Sequence, residues 1–384
     1  MDKVRIGIAG LGNMGATHAN CILAGKISRL ELAAVCDVEP ARVARYPQTK
    51  GFPSAEAMIA SGTIDAVLIA TPHYYHTSIG ISVLQAGLHV LVEKPISVHK
   101  ADCERLIAAH RDPRQIFAAM FNQRTDPYYL QLRHLVRSGE LGEIRRINWI
   151  ITDWFRTGAY YASGGWRATW GGEGGGVLIN QCPHNLDLIQ WIFGLPVRVR
   201  AFCRCGRYHD IEVEDDVTAC LEFANGATGV FITSTGESPG TNRLEITAEG
   251  GRVVYEDDQI RCLRNTVPMS EFGRTSPEAF ARPEAVPGLI TAPGHGGQHQ
   301  EILQNFTDAI LDGASLIAPA AEGIHSVELA NAMLLSEWLG QTVELPLDAA
   351  QYERLLQQRI RESRFKKKAA VSVAATDFAK SFGR

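Results

Sequence analysis

The sequence has no apolar run long enough to form a membrane-spanning helix, so it predicts no insertion into a membrane. It also has no marked excess of charge, because 38 Lys and Arg stand against 42 Asp and Glu, for a net charge of −4. A net charge this small gives no electrostatic reason to expect binding to nucleic acid or to an anionic membrane surface. Small molecules are therefore the expected partners.

The start of the chain lacks the basic segment, the apolar segment and the small-residue cleavage site of a secretion signal. We therefore expect a cytoplasmic protein whose eight scattered cysteines are reduced thiols. Cys203, Cys205 and His209 suggest a metal site, but their spacing misses the usual zinc patterns. We favour two strand residues on one face beside a turn, and predict no metal.

Short runs of Val, Ile, Leu and Ala alternate with helical stretches over roughly the first 120 residues. The strands are VRIGIA, LELAAVCD, IDAVLIA, LHVLVE and QIFAAMF, and the helices fall near 13–25, 74–87 and 99–111. Continuous apolar strands separated by helices are typical of a parallel sheet covered on both faces. The pattern predicts an α/β fold, with a doubly wound Rossmann domain over residues 1–125.

The order of elements changes after residue 125, with a helix at 127–138, a strand at 144–154, a glycine-rich loop and a helix at 184–193. Consecutive strands follow without helices between them: VRVRAFCR, DVTACLEFA, TGVFITSTG, NRLEITAEG and GRVVYED. Asn-Gly and Gly-Gly turns between them indicate antiparallel pairing. Residues 126–346 are therefore predicted to form an α+β domain on a largely antiparallel, open-faced sheet.

The remaining segments give weaker signals. Residues 265–296 hold five prolines and predict an irregular surface excursion, before helices near 298–312 and 321–339. Residues 347–384 are predicted to be a C-terminal extension whose last twenty or so residues are loosely tethered. The basic cluster in it is interpreted as a solvated helix end rather than a binding patch; its members are Arg364, Lys366, Lys367 and Lys368.

A G-x-G-x-x-G motif directly follows the first strand and precedes the first helix. Its residues are Gly10, Leu11, Gly12, Asn13, Met14 and Gly15. In this context, glycines permit a tight turn, close approach of a pyrophosphate and close helix packing, and the helix N-terminus offers free amide donors. Asp37 ends the second strand, where a carboxylate accepts hydrogen bonds from ribose hydroxyls, so NAD is expected rather than NADP. Arg42 nearby leaves NADP open.

The stretch HVLVEKP places Glu93 and Lys94 at the carboxyl end of an apolar strand, the edge at which open α/β sheets bind ligands. Lys94 is therefore a candidate to contact a substrate held against a cofactor. A Lys-Pro bond at Pro95 can be cis and would fix the direction of the lysine. Glu93 can pair with Lys94 or another cation, and the alternative is an exposed Glu-Lys pair without function.

Four motifs occur in an order and at a spacing that resemble one family: GLGNMG, ATPHYYH, HVLVEKP and GGGVLINQCPHNLD. The chain resembles, from residue 3 to about 346, the family that includes glucose-fructose oxidoreductase, inositol dehydrogenase and MocA proteins. The resemblance implies that Lys94 lies beside the nicotinamide and the substrate. It also implies that an Asp-x-x-x-His pair faces the hydroxyl that is oxidised, and here those positions hold Asn180 and His184.

Asparagine cannot exchange a proton near neutral pH, although it can hold a hydroxyl, so His184 is the better general base. Hydride transfer from a secondary alcohol requires that the hydroxyl proton leaves as the carbonyl forms. We assign His184 the proton and Lys94 the alcohol oxygen, whose developing negative charge its ammonium stabilises. The alternative for His184 is a helix cap or packing contact.

The resemblance implies further site residues. Thr71, Pro72, His76, Glu93 and Asn122 are expected at the cofactor, and Arg124 at the substrate or cofactor. His73 stands where the family commonly has asparagine, and His299 lies either near the cleft or on the surface. Asp187 is expected to support its helix rather than touch substrate.

Four of the six tryptophans crowd into 22 residues, and such a cluster fits a sugar or polyol site. The cluster contains Trp149, Trp154, Trp166 and Trp170 with Phe155, Arg156, Tyr160, Tyr161 and Arg167. We assign Trp154, Arg156, Trp166 and Arg167 to the substrate together with Asn180. The alternative for any one tryptophan is a place in the core of the domain.

The favoured hypothesis is an NAD-dependent dehydrogenase acting on a secondary hydroxyl of a cyclic polyol, a sugar or a sugar derivative, as inositol dehydrogenase does. Two alternatives stay open: an enzyme that cleaves glycosides by transient oxidation with bound NAD, and a non-catalytic regulator that binds NAD and sugar. The resemblance also implies that the open face of the second sheet meets another subunit, so a homodimer or homotetramer is expected.

Overall fold

A computed structural model describes residues 2–367. Its first sheet has six parallel strands: β1 (Val4–Ala9), β2 (Leu30–Cys36), β3 (Lys50–Phe52), β4 (Ala66–Ile69), β5 (His89–Val92) and β6 (Phe117–Ala119). Their order in the sheet is β3-β2-β1-β4-β5-β6, so the strand order reverses between β1 and β4. This confirms the predicted doubly wound sheet, and it places the ligand crevice at the carboxyl ends of β1 and β4.

Helices cover both faces of the first sheet, which explains its continuous apolar strands. They are α1 (Asn13–Leu23), α2 (Pro40–Val43), α3 (Ala55–Ile59), α4 (Tyr74–Gln85) and α5 (Lys100–Ala109). The sequence did not predict α2, α3 or β3, because segments of three to five residues are too short to show a periodicity.

The second part of the chain forms a nine-stranded sheet. Its elements up to the last long strand are α6 (Pro127–Arg137), β7 (Ile144–Ile151), α7 (Gly158–Ala162), α8 (Val177–Asn180), α9 (Pro183–Phe193), β8 (Arg198–Cys205), β9 (Glu214–Glu222), β10 (Thr228–Ser234), β11 (Asn242–Ala248), β12 (Gly251–Glu256), β13 (Gln259–Asn265), α10 (Met269–Thr275) and β14 (Ala285–Ile290). After these come α11 (Gln298–Asp312), α12 (Ile324–Leu339), β15 (Val343–Glu344) and α13 (Ala349–Glu362).

The order in this sheet is β14-β13-β12-β11-β7-β10-β9-β8-β15. Every pair is antiparallel except β7 with β10, which run parallel. One face packs against α6, α9 and α12, whereas residues of the other face such as Phe202 and Leu289 are exposed. The largely antiparallel, open-faced sheet is therefore confirmed.

The structure corrects the expectation for residues 265–296, which contain α10 and the strand β14. The strand β14 pairs with β13 from Ala285 to Ile290, at the edge of the sheet. Its Pro287 hid it in the sequence, since proline is tolerated in edge strands but argues against a central one.

The helices α11 and α13 pack in domains other than those in which the predicted boundaries placed them. Leu303 and Phe306 of α11 are buried in the core of the first domain, so the chain returns to that domain. Tyr352 and Leu356 of α13 are buried in the core of the second domain. The start of the predicted C-terminal extension, residues 347–384, therefore packs on that domain.

The basic cluster follows α13 rather than ending it. The Nζ of Lys367 donates to the carbonyl oxygens of Gly164 and Arg167 at 2.7 and 2.6 Å, so this lysine is not simply solvated. Lys368 and the segment predicted to be loosely tethered lie outside the described residues. No helix within residues 2–367 has the length and apolar character needed to cross a membrane.

Candidate active site

In the glycine turn after β1, Gly10 and Gly15 have no room for a side chain, whereas Gly12 faces open space. Gly10 has φ of 90°, and a Cβ on Gly15 would lie 1.8 Å from the Gly10 carbonyl oxygen. A Cβ on Gly12, in contrast, would meet no atom within 4 Å. Gly12 precedes α1, which begins at Asn13 with no side-chain cap for its free amides. The turn thus fits a dinucleotide, whose pyrophosphate needs open space and amide donors at this point.

Asp37 is buried at the end of β2 and anchors the glycine turn. Its Oδ2 accepts from the Leu11 amide at 2.7 Å, and its Oδ1 accepts from the Glu39 amide at 2.9 Å. Nη1 of Arg42 lies 3.3 Å from Oδ2, so the positive charge of Arg42 is turned toward Asp37. The carboxylate therefore lies beside the turn, as the motif predicts.

His76 joins two loops of the crevice. Its Nδ1 lies 2.8 Å from the Pro95 carbonyl oxygen, and its Nε2 lies 2.8 Å from that of Thr71. Both ring nitrogens thus contact the protein, so His76 holds the two loops together, and its contact with the cofactor stays a prediction. The Oγ1 of Thr71, which precedes Pro72, is buried without a hydrogen-bond partner and is suited to bind a ligand.

Glu93 has a hydrogen-bond partner, His18, that the sequence did not identify. Its Oε1 accepts from Nε2 of His18 at 2.7 Å, and the His18 ring lies 5.6 Å from that of His299. Burial alone would raise the pKa of Glu93, but the hydrogen bond from His18 and the positive charges around it lower the pKa to about 2. Burial lowers the pKa of His299 to about 4. Glu93 is therefore a fixed negative charge next to Lys94.

Lys94 extends from the end of β5 into the second domain. The Lys94–Pro95 peptide bond is cis, and Nζ of Lys94 donates to the carbonyl oxygen of Asn180 at 2.8 Å. Burial lowers the pKa of the ammonium, while the charge of Glu93 opposes that change. Lys94 is therefore directed to α8, one turn before the helix that carries His184.

His184 lies in the first turn of α9 and is only 6% exposed. Its Nδ1 is buried without a hydrogen-bond partner. Burial holds the pKa of His184 well below its usual value, and the charge of Lys94 adds to the effect. The imidazole is therefore neutral near pH 7 and can accept a proton. Lys94 and His184, which come from different domains, therefore lie near enough for the charge of Lys94 to act on the imidazole.

Asn180 ends α8, next to a buried carboxylate in the glycine-rich loop. Its Nδ2 donates a short hydrogen bond to Oε1 of Glu173, which is 2% exposed. Burial raises the pKa of Glu173, although Arg167 and the hydrogen bonds oppose the change. The loop packs closely on the first domain, since a Cβ on Gly174 would lie 2.0 Å from Cγ1 of Val98.

A second buried carboxylate, Glu214 at the start of β9, supports α8 from below. Its Oε1 accepts from the amides of Gly176 and Leu178 at 2.8 and 3.0 Å, while its Oε2 has no partner. Burial raises the pKa of Glu214 to about 7, and the charge of Glu173 contributes to the increase. The carboxyl therefore caps the helix that ends at Asn180.

The aromatic cluster divides into pocket and core. The guanidinium of Arg167 lies over the rings of Trp166 and Tyr160, at 4.6 and 4.7 Å, and Trp166 contacts the ring of His73 at 5.1 Å. Arg156 lies over Trp154 at 5.6 Å. Trp149, Trp154 and Trp170 are buried in the second core, as the alternative predicted, whereas Trp166 is only partly buried.

Arg124, whose predicted contact with substrate or cofactor stays a prediction, is held by carboxylates of the protein. It is 1% exposed, donates to both carboxylate oxygens of Asp187 at 2.7 and 2.6 Å, and donates to Glu322 at 2.5 Å. Its donors are thus occupied by carboxylates, and Arg124 connects the end of the first domain to α9. Asn122 donates to Oε1 of Gln298 at 2.6 Å, and its buried Oδ1 lacks a partner. Asn122 therefore stays a candidate for cofactor contact.

Three residues of the site were missed by sequence reasoning: His18, Glu173 and Glu214. Glu173 gave a signal, because it is the single charged residue in a run of five glycines. Among residues 2–367 no cluster of potential metal ligands occurs, and His209 instead contacts Oδ2 of Asp215 at 3.0 Å.

Comparison with known proteins agrees with this geometry. The model of the oxidoreductase family with an NAD-binding Rossmann fold matches residues 4–121, and the GFO/IDH/MocA C-terminal domain matches residues 129–254. The uncharacterized oxidoreductase YdgJ of Escherichia coli (strain K12) is 30% identical, over 85% of this chain and 94% of YdgJ. Inositol 2-dehydrogenase of Rhizobium meliloti (strain 1021) is 25% identical, over 87% of this chain and 96% of that enzyme.

A solved structure is similar over most of both chains. The WlbA dehydrogenase of Chromobacterium violaceum, in complex with NADH and UDP-GlcNAcA, has a TM-score of 0.77 at 27% identity and covers 91% of this chain and 97% of WlbA. Together with the glycine turn and the Lys94–His184 pair, these similarities show that the chain belongs to the GFO/IDH/MocA oxidoreductase family and is a dehydrogenase acting on CH–OH groups.

Proposed function

We propose that the protein oxidises a secondary hydroxyl of a cyclic polyol, a sugar or a sugar derivative with NAD. The observation that supports the proposal is that Nζ of Lys94 reaches the carbonyl oxygen of Asn180, four residues before His184, and that the charge of Lys94 acts on the His184 imidazole. NAD, when bound, supplies the hydride acceptor. Gly12 and the amides at the start of α1 would hold its pyrophosphate, and Asn122 and Thr71 offer free polar atoms.

Each catalytic residue has a separate task. The neutral imidazole of His184 accepts the hydroxyl proton as the carbonyl forms, and a low pKa keeps it ready for that step. The Lys94 ammonium, held by the Asn180 carbonyl oxygen, donates a hydrogen bond to the reacting oxygen. In the reverse direction His184 returns the proton.

Asp37 supports NAD rather than NADP as the cofactor. A 2'-phosphate would lie near this buried carboxylate, which repels it. The only cation that Asp37 pairs with among the described residues is Arg42, whose guanidinium is half-exposed. We therefore expect NADP to be used more slowly than NAD.

The pocket residues support a carbohydrate-like substrate. Trp166 and Tyr160 are only partly buried and carry aromatic rings beside the guanidinium groups of Arg167 and Arg156. Trp154, also assigned to the substrate, lies in the core beneath Arg156. Two similar proteins also point to such compounds: one is named inositol 2-dehydrogenase, and the WlbA structure contains UDP-GlcNAcA.

We also propose that the protein self-associates through the exposed face of the second sheet, which holds Phe202 and Leu289. A molecular mass of a single chain, measured by light scattering, would reject this proposal.

The test is a screen of inositols, free sugars and sugar acids with NAD and NADP, monitored by absorbance of the reduced nicotinamide. With an active substrate, Lys94→Ala and His184→Ala should each lower kcat roughly 10²- to 10⁴-fold, with NAD affinity preserved. The exposed residues Lys26 and His134 provide controls, as Lys26→Ala and His134→Ala should retain wild-type kcat.

Two outcomes would reject the proposal. Unchanged turnover in the Lys94 and His184 variants would mean that these side chains do not perform the chemistry. Consumption of a glycoside without steady NADH formation would instead indicate cleavage by transient oxidation.

A further inference from the structure

Glu173 lies in the glycine-rich loop and is among the most deeply buried carboxylates of the second domain, at 2% exposure. A buried carboxylate is unfavourable unless hydrogen-bond donors or cations surround it. Oε2 of Glu173 accepts from the Ala168 amide at 2.6 Å, and Oε1 accepts the short hydrogen bond from Asn180. Nη1 of Arg167 lies 3.8 Å from Oε1. The proposed function leaves this carboxylate without a task.

The partner of Glu173 fixes how the Asn180 amide is oriented. An ionised carboxylate can only accept hydrogen bonds, so the amide must present its NH2 group and not its oxygen to Glu173. Oδ1 and Nδ2 are attached to the same planar carbon, and therefore Oδ1 is directed away from Glu173. Asn180 is partly exposed, and no donor among residues 2–367 forms a hydrogen bond with its Oδ1.

The same position carries the contact to Lys94, because the backbone carbonyl oxygen of Asn180 accepts from Nζ. Asn180 thus lies between Glu173 and the ammonium that is proposed to bind the alcohol oxygen. The charge of Glu173 also reaches Lys94, where it opposes the effect of Arg167 and Arg156. Position 180 itself carries no negative charge, and the carboxylate nearest to it is that of its hydrogen-bond partner Glu173.

We propose that Glu173 is a positioning residue that holds the Asn180 amide with Oδ1 toward the substrate, so that asparagine acts as the hydrogen-bond acceptor for a substrate hydroxyl. This proposal rests on the proposed function. Glu173 and Asn180 together would do what one carboxylate at position 180 could do alone. An uncharged residue at 173 would let the amide rotate and present its NH2 group to the substrate.

A double-mutant cycle tests the pair. In Glu173→Gln the amide at 180 is no longer fixed, and kcat on the substrate found by the screen should fall roughly 10- to 100-fold. In Asn180→Asp a second carboxylate faces the buried carboxylate of Glu173, so activity should fall at pH 8 and recover as the pH is lowered and the pair shares a proton. In the variant with both substitutions, the amide now at position 173 can donate to the carboxylate now at position 180. Its kcat at pH 8 should therefore exceed that of both single variants.

A control that contacts the same loop from the segment between β8 and β9 separates positioning from loop stability. Oε1 of Glu212 accepts from the Trp170 amide at 2.9 Å and has no contact with Asn180. Glu212→Gln should keep kcat, and NAD affinity should be unchanged in all four variants. The acidic limb of the wild-type pH profile should also move to lower pH in Glu173→Gln, since the raised pKa of Glu173 places its protonation above that of an ordinary glutamate.

Additive effects of the two substitutions on kcat, or a Glu173→Gln variant with wild-type kcat, would overturn the proposal. A coupling that is present in thermal unfolding but absent in kcat would also overturn it, because the pair would then be only structural. If the wild type oxidises no alcohol in the screen, the proposed function fails. The pairing is then decided by the unfolding cycle alone, in which the absence of coupling rejects it.

Discussion

Glu93 and Glu214 are buried carboxylates that support the two halves of the site, one from each domain, and their pKa values are shifted in opposite directions. Glu93 lies at the end of β5 beside Lys94, and its pKa is lowered to about 2. Glu214 lies below α8, which ends at Asn180, and its pKa is raised to about 7. Burial would raise the pKa of both, so the difference comes from their partners.

The partners of Glu93 are side chains of basic residues, whereas those of Glu214 are backbone amides. Glu93 accepts from His18 at 2.7 Å and lies near the charge of Lys94. Glu214 accepts from two amides, leaves one oxygen without a partner, and is repelled by Glu173. Two backbone amides do not offset the loss of hydration of Glu214, whereas the hydrogen bond from His18 and the nearby basic side chains do so for Glu93. The carboxylate beside Lys94 is thus stabilised by basic side chains, and the carboxylate below Asn180 by backbone amides.

The largest expected effect comes from breaking the link between these two regions, the buried pair of Arg124 with Asp187. Arg124→Leu leaves Asp187, which is 1% exposed, without its cation. Removal of one partner from a buried ion pair costs about 3–5 kcal/mol, so the free energy of unfolding should fall by that amount in urea titrations. Arg29→Leu, at a surface pair with Asp308 and Asp312, is the control and should remain close to wild type. A loss no greater than that of the control would show that the link does not hold the regions together.

Arg124 also shows which part of the site sequence reasoning could not reach. Its partners Asp187, Ile317 and Glu322 are 63, 193 and 198 residues away, and nothing in FNQR indicates them. The contact of His18 with Glu93 likewise spans 75 residues. These pairings depend on how helices cross the strand ends, which no local pattern encodes.

Local patterns did predict the parts of the molecule that local chemistry determines. The glycine turn, Asp37 and the apolar strands follow from spacing and periodicity, and the structure has them where they were expected. The motifs of the resemblance identified Lys94 and His184, although 90 residues separate them. The roles of these two residues stay predictions until their variants are assayed.

The second prediction concerns the contribution of Glu214 to the free energy of unfolding, which depends on pH. A raised pKa in the folded state means that this carboxyl contributes stability below pH 4.5 and loses it as the pH rises through about 7. The increase from 4.5 to about 7 corresponds to roughly 3 kcal/mol. Glu214→Gln keeps an oxygen for the amides of Gly176 and Leu178 and cannot ionise.

The variant should therefore be more stable than wild type at pH 8 and similar to it at pH 4.5, as measured by unfolding at both values. Glu143→Gln, at an exposed site, is the control and should leave the pH dependence as it is in wild type. Equal stability of Glu214→Gln and wild type across this range would mean that Glu214 ionises freely.

The smallest expected effect sharpens the comparison at Glu93. In Glu93→Gln, Lys94 loses the charge that most strongly keeps its pKa up, so the ammonium should deprotonate at lower pH. The alkaline limb of the kcat profile should move to lower pH, and kcat at neutral pH should fall roughly tenfold because the Lys94 ammonium loses the negative charge beside it. Glu31→Gln, which breaks the exposed pair with Lys3, should leave the profile unchanged. Because Glu93 acts through Lys94 and not through the fold of α8, a Glu93→Gln profile identical to wild type would mean that charge does not support this side of the site.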